Sequence, residues 1–196
     1  MPARLEVIAG PMFSGKSEEL IRRIRRAKWA NKRIALVKPF RDSRTESYVA
    51  TRNIVDGRSL IAETFPAEPV CAIEDILMVL ESTEAEILGI DEGQFFDDWL
   101  IDGVAVLLRT HKLQDFRIIV AGLDLDYRLQ PFGPMPQLLA MADRIDKLTG
   151  VCMNCGTDDA RFTQRLHGTS QTIQVGDLGD YQVRCRKCHF IPTLPK

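Results

Sequence analysis

A chain of 196 residues can bury a sizeable core, enough for one domain and a small second unit. At 45% hydrophobic, 27% charged and a net charge of −1, it is globular in composition, with no general attraction for nucleic acid or an anionic membrane. No apolar run approaches the ~20 residues of a membrane span and no signal-peptide pattern opens the chain, so a cytoplasmic protein with reduced cysteines is expected.

In chain order, residues 5–9 read as a first strand. Gly10-Pro11-Met12-Phe13-Ser14-Gly15-Lys16-Ser17 follows, a complete G-x-x-x-x-G-K-S loop, and then residues 18–31 with helical spacing. Strand, loop and helix in that order form the setting in which such a loop binds a nucleoside triphosphate. The glycines let backbone N–H groups crowd around a polyphosphate, and the helix N-terminus adds favourable partial charge. Lys16 can reach the β- and γ-phosphates, and the Ser17 hydroxyl can ligate Mg²⁺. The helix carries Arg22, Arg23, Arg25, Arg26 and Lys28. A solvated face or subunit contact suits these better than a nucleic-acid stripe, because the rest of the chain is not basic. Trp29 and Trp99 are read as packing residues.

Residues 33–38, 86–91 and 117–122 read as further strands, and 72–80, 99–111 and 137–148 as helices. Strands apolar along their length, alternating with helices, predict an α/β fold with a parallel sheet covered on both faces. The strand at 86–91 runs into Asp91-Glu92-Gly93-Gln94-Phe95-Phe96. An apolar strand ending in Asp is the second signature of phosphate-loop NTPases, with Asp91 placed to hold Mg²⁺. Glu92 then reaches the same cleft, and one carboxylate for metal with one for proton transfer suits phosphate transfer to a hydroxyl. Two solvated acids at a turn is the plainer reading. Cys71 is expected to be a small buried hydrophobe.

Near Thr149-Gly150 the pattern changes to turns, cysteines and short strands, dividing the chain into 1–149 and 150–196. Cys152-Met153-Asn154-Cys155 and Cys185-Arg186-Lys187-Cys188 are two C-x-x-C knuckles separated by 29 residues. Four thiolates in that pattern suit structural Zn²⁺ in a ribbon-like unit. His189 is a possible substitute for Cys188, although the spacing favours the cysteine. The loop between the knuckles carries Gly176, Asp177, Gly179 and Asp180, which favour mobility. It reads equally as a flap over a small substrate or as a structural insertion.

These three motifs together resemble the zinc-containing, tetrameric (type II) class of thymidine kinases. Asp124 to Gly133, with Tyr127-Arg128 and Pro131-Phe132-Gly133, extends the resemblance, as do Arg161-Phe162-Thr163-Gln164-Arg165-Leu166 and Tyr181. The resemblance implies a P-loop NTPase core that moves the γ-phosphate of ATP to the 5′-hydroxyl of thymidine, serving nucleotide salvage. It assigns Glu92 as general base and the loop, Asp91 and Gln94 to ATP and Mg²⁺. Asp42 and Arg44 match a segment near the phosphates, with surface turn residues as the rival reading. The implied nucleoside pocket comprises Met12, Phe95, Leu123, Tyr127, Thr163 and Tyr181, with backbone amides near Val175 and Gly176. It also implies a homotetramer acting on a small-molecule nucleoside, with no nucleic-acid or membrane partner. Arg52 receives no role, and His111 and His167 are expected at the surface. An ATP-driven nucleic-acid protein is the rival from another class, but its basic surface and further motor motifs are missing from the sequence.

Overall fold

Residues whose side chains are apolar on both sides of a strand can be satisfied only between two layers, and that requirement organises this chain. The computed structural model describes residues 2–41, 47–55, 58–111, 115–167, 169, 171–173 and 179–192. The elements run β1 (Arg4–Ala9), α1 (Lys16–Trp29), β2 (Ile34–Pro39), β3 (Tyr48–Val55), β4 (Arg58–Pro66) and β5 (Glu68–Val70). They continue α2 (Ile73–Thr83), β6 (Ile87–Ile90), a single 3₁₀ turn (Gly93–Phe95), α3 (Trp99–Thr110) and β7 (Arg117–Gly122). Next come α4 (Met135–Met141), β8 (Arg144–Lys147), β9 (Phe162–Arg165) and β10 (Tyr181–Arg184).

Six strands form one parallel sheet in the order β5-β2-β6-β7-β1-β8. Successive side chains alternate between its two faces, as a period of two demands. Leu5, Val7, Leu88, Ile90, Ile118 and Val120 meet α2, α3 and α4 through Ile76, Leu80, Leu100, Val104 and Leu138. Ile8, Leu36, Ile87, Ile119 and Ala121 face the other way, onto Leu20, Ile21, Ile24 and Ala27 of α1. Those four positions lie on one stripe of a 3.6-residue helix, and the same stripe packs on Val49 at the root of the β3–β4 hairpin. The mixed α/β fold with a helix-flanked parallel sheet is as expected.

Several sequence readings need correction. The helix expected over 137–148 stops at Met141, and Arg144–Lys147 instead pairs parallel to β1. Asp143 directs the change: its carboxylate accepts from Leu5 N at 2.8 Å while its own N–H donates to Leu5 O at 2.9 Å. Edge pairing thus overrides helical periodicity, leaving Ile145 50% exposed. Trp29 is 75% exposed rather than packed, whereas Trp99 does pack, edge-on to Phe96 at 5.5 Å. Cys71 is exposed, its Sγ donating to Asp75 Oδ2 at 3.3 Å at the start of α2. His111 is half-buried and stacks flat on Phe116 at 3.6 Å, while His167 is exposed as expected. The hairpin β3–β4 lies in a stretch where no element was expected.

The basic helix face is partly an internal device. Arg23, buried, donates to Glu6 Oε2 at 2.7 Å, Glu19 Oε1 at 2.8 Å and Asp146 Oδ2 at 2.7 Å, tying α1 to β1 and β8. Arg23→Met is therefore expected to destabilise the fold by about 3–5 kcal/mol, the cost of leaving a buried carboxylate at Glu6 uncompensated. Urea unfolding checks this, and a loss below about 1 kcal/mol would make the network ornamental.

Candidate functional site

The carboxyl ends of β1, β6 and β7 gather on one edge of the sheet. After Ala9 the chain turns through Gly10 at φ 152°, where a Cβ would sit 2.6 Å from Leu148 O and 2.9 Å from Ser14 Oγ. Only glycine fits that approach. The loop then wraps to Gly15 at φ 80°, directly before α1, so the first N–H groups of a fourteen-residue helix open towards the loop. Inside it, Ser14 Oγ donates to Pro11 O at 2.8 Å and Lys16 Nζ donates to the same carbonyl at 2.6 Å. Lys16 thus lies across the loop it serves.

The second motif meets the first across the sheet. Ser17 Oγ lies 3.1 and 3.0 Å from Asp91 Oδ1 and Oδ2, and Asp91 is buried. A hydroxyl from the first turn of α1 and a carboxylate just past β6 form an oxygen donor pair of the kind Mg²⁺ takes. The next residue, Glu92, sits in the left-handed region at φ 52°, a conformation that costs a non-glycine residue roughly 1–3 kcal/mol and is retained where surroundings enforce it. Gln94 holds its side chain. Its Nε2 donates to Glu92 Oε2 at 2.6 Å, and its Oε1 accepts from Leu123 N at 2.9 Å. Gln94 is itself buried, so its amide spans from the acid pair to the end of β7.

The C-terminal knuckles converge. Sγ atoms of Cys152, Cys155, Cys185 and Cys188 all lie within 4.8 Å of one another, with Cys155 and Cys185 3.7 Å apart. Tetrahedral Zn–S bonds of about 2.3 Å set sulfurs about 3.8 Å apart, so the cluster fits this metal. Burial pushes the Cys152 thiol up, but backbone N–H groups of Cys185, Asn154 and Cys155 outweigh it and hold it down at about 6. Cys155 is moved the other way, to about 11: the Thr157 N–H lowers it, but the neighbouring Cys152, Cys188 and Cys185 sulfurs prevail. His189 is not part of the cluster. Its Nε2 faces Tyr127 O at 3.1 Å, a carbonyl that can only accept, so that nitrogen donates, and burial pushes the imidazole pKa down.

The cysteine unit is docked on the phosphate loop rather than tethered beside it. Phe13 packs against Cys152, Ala160, Val183 and Cys185, and Met12 N donates to Thr163 Oγ1 at 3.0 Å. The antiparallel pair β9–β10 sets Tyr181 opposite Arg165. Tyr127, Leu123, Thr163 and Tyr181 are all buried, and Phe95 meets Phe132 edge-on at 5.8 Å. Arg165 lies over the Tyr127 ring at 4.0 Å and bonds the Tyr181 hydroxyl from Nε at 3.1 Å and Nη2 at 2.8 Å.

Of the sequence-expected residues, the structure joins Ser17 to Asp91, Glu92 to Gln94 and Leu123, and Met12 to Thr163. Asp42, Arg44, Val175 and Gly176 lie outside the described residues. Sequence reasoning gave no role to Arg165 or to Gln164, which accepts from Phe190 N at 2.9 Å, nor one to His189 beyond the cluster. The available signal was a strand, Phe162–Arg165, ending in polar residues beside a metal knuckle.

The thymidine kinase family model matches residues 3–189. A thymidine kinase of Bacteroides thetaiotaomicron is 40% identical over 188 residues, covering 95% of this chain and 87% of that protein. One of Porphyromonas gingivalis is 42% identical over 185 residues, covering 94% and 84%. Among solved structures, a DNA replication initiation factor matches 74% of this chain and 40% of its own, at 12% identity and a TM-score of 0.41, too remote to inform the chemistry.

Proposed function

The chain belongs to the thymidine kinase family, and from that premise we propose how its residues divide the work. It is an enzyme that transfers a phosphate from ATP to thymidine, forming dTMP. In the proposed mechanism the γ-phosphoryl group passes to the 5′-oxygen, ADP leaves, and the 5′-hydroxyl proton goes to Glu92. Lys16 and the backbone N–H groups from Phe13 to Ser17 hold the phosphates, with Gly10, Pro11 and Met12 shaping the loop. Mg²⁺, bound by Ser17 and supported by Asp91, would neutralise charge building on the transferring oxygens. Asp42 and Arg44 are assigned to the same phosphates by resemblance alone.

One observation carries this reading. Ser17 Oγ and both Asp91 oxygens lie within 3.1 Å, which brings the donor loop and the acid pair to one point. Glu92 follows directly, with its carboxylate orientation set by Gln94. We assign Gln94 to holding that carboxylate rather than to contacting ATP, because its amide already spans Glu92 and the Leu123 N–H. Thymidine would lie among Met12, Phe95, Leu123, Tyr127, Thr163 and Tyr181, with the backbone of Val175 and Gly176 over the base edge. Aromatic faces suit a pyrimidine, and apolar walls suit its methyl group.

The finer assignments belong to the same proposal. Zn²⁺ in the four-cysteine cluster would be structural, closing the base of the second unit, 150–196, against the core, 1–149. The motif set resembles the four-subunit type II class, and we place the chain there, in the cytoplasm. Among the described residues no helix is long and apolar enough to cross a membrane.

Tyr181→Ala tests the pocket. Base–aromatic stacking is worth about 1–3 kcal/mol, so KM for thymidine is expected to rise roughly tenfold or more, with KM for ATP little changed. Steady-state kinetics with each substrate varied in turn reads this. An equal rise for both would move Tyr181 out of the nucleoside site.

A further inference from the structure

Arg165 is a fully buried cation with an unusual set of partners. It is 1% exposed, and among the described residues no carboxylate pairs with it. A guanidinium carries five N–H groups, and here every one meets a neutral oxygen. Nε and Nη2 both donate to the Tyr181 hydroxyl, at 3.1 and 2.8 Å. Nη1 donates to Thr169 O at 3.0 Å and to Gln171 O, and Nη2 also donates to Thr172 O at 3.0 Å. The planar group stacks on Tyr127 with its central carbon 4.0 Å from the ring centroid.

Its position in the chain gives these contacts meaning. Arg165 ends β9 and Tyr181 begins β10, directly opposite in register, and Leu166 N donates to Asp180 O at 2.7 Å just beyond them. The residue therefore sits at the mouth of the 166–180 connection and draws three carbonyls of its outgoing limb back onto the two tyrosines. Thr172 is held from the core as well: Arg128, beside Tyr127, donates to its Oγ1 while its Cζ lies 5.3 Å from the Tyr127 centroid. Burying an unpaired charge opposes folding, and an apolar side chain of similar volume would pack there at lower cost. A guanidinium is the one side chain whose fork satisfies four oxygens in a plane and also stacks on a ring.

We propose that Arg165 is a positioning residue for the nucleoside: a latch that fixes the Tyr127 and Tyr181 rings and the carbonyls of Thr169, Gln171 and Thr172 as one unit. This inference rests on the pocket proposed above. It makes thymidine affinity depend on a residue that touches neither the phosphates nor the acid pair.

The test compares Arg165→Met and Arg165→Lys with Tyr181→Ala in steady-state kinetics on the full-length, metal-loaded protein. Arg165→Met removes all five of these hydrogen bonds, and the tyrosines and carbonyls they order should loosen enough to raise KM for thymidine by about ten- to hundredfold. kcat and KM for ATP should stay within about threefold if the role is positioning at the nucleoside alone. Arg165→Lys keeps the charge but loses the fork, and should recover less than half of the loss on a logarithmic scale. Parallel rises in both KM values, or a fall in kcat alone, would overturn the latch. If Arg165→Met does not unfold cooperatively, the Lys variant carries the same comparison, with a thymidine KM within about twofold of the parent as the overturning result. If Tyr181→Ala raises the thymidine KM and the Arg165 variants do not, the latch alone is wrong. If neither does, the pocket itself has been misplaced.

Discussion

Replacing Glu92 with Gln should lower kcat by about 10²–10⁴-fold, the usual contribution of a positioned acid–base group, while leaving nucleotide affinity almost intact. The substitution is isosteric, and the introduced amide oxygen can still accept from Gln94 Nε2, which lies 2.6 Å from the present carboxylate. The turn at φ 52° therefore has its hydrogen bond and keeps its shape. What disappears is the capacity to take a proton from the 5′-hydroxyl as the phosphoryl group arrives. The phosphate loop, the Ser17–Asp91 contact and the aromatic walls are all spared, so binding of a fluorescent ATP analogue should match the parent. Single-turnover rates read the chemical step directly. Near-normal turnover would remove Glu92 from the mechanism and return the base role to solvent.

Cys152→Ser should have an effect of similar reach by a different route. The buried cluster around the knuckles is small: Cys152, Ala160, Val183 and Cys185, with Phe13 and Cys188 packed against it. A unit of that size has too little apolar area to order itself. Structural zinc contributes roughly 10–16 kcal/mol in finger-like peptides, so a Zn²⁺ held as proposed would be the main source of order here. Removing one thiolate should release the ion, and order in the 156–184 segment should go with it. Phe13 and Met12 N both lean on this unit, so weaker binding of both substrates is expected, unlike the selective loss in Tyr181→Ala. Metal analysis and limited proteolysis check the two halves separately. Full retention of zinc would refute the ligand assignment, and normal proteolytic resistance without zinc would refute its structural role.

The core elements were legible because their signals are local. Gly10, Gly15, Lys16 and Ser17 carry their motif in their own spacing, and the four buried central strands show as apolar runs, interrupted in β1 by Glu6. The pair of knuckles was legible for the same reason. Periodicity failed at 144–147, where Asp143 redirected a helical pattern into an edge strand by bonding Leu5. It also failed for Trp29 and Cys71, since nothing local says whether an apolar residue at an element's end will find a neighbour. Gln94 was identified as a site residue, but its partners within the fold were not legible. Its burial between Glu92 and Leu123 depends on the approach of β7, 29 residues away, and of Gly133, where any Cβ would collide with Gln94 O.

Taken alone, then, the sequence determined the family's phosphate transfer to thymidine and a cluster of four cysteines able to hold a metal, and it supplied the phosphate loop and acid pair to which the proposal assigns the chemistry. The loop, the acid pair and each cysteine knuckle are short motifs whose atoms must be neighbours along the chain. Tertiary structure decided which groups act together. It set Ser17 against Asp91 and docked the cysteine unit on the phosphate loop through Met12 and Phe13. It also buried a guanidinium between two tyrosines. The hydrogen bonds among these contacts join residues 16 to 151 positions apart, and their energies come from burial and hydrogen-bond geometry that only the packed sheet and ribbon create.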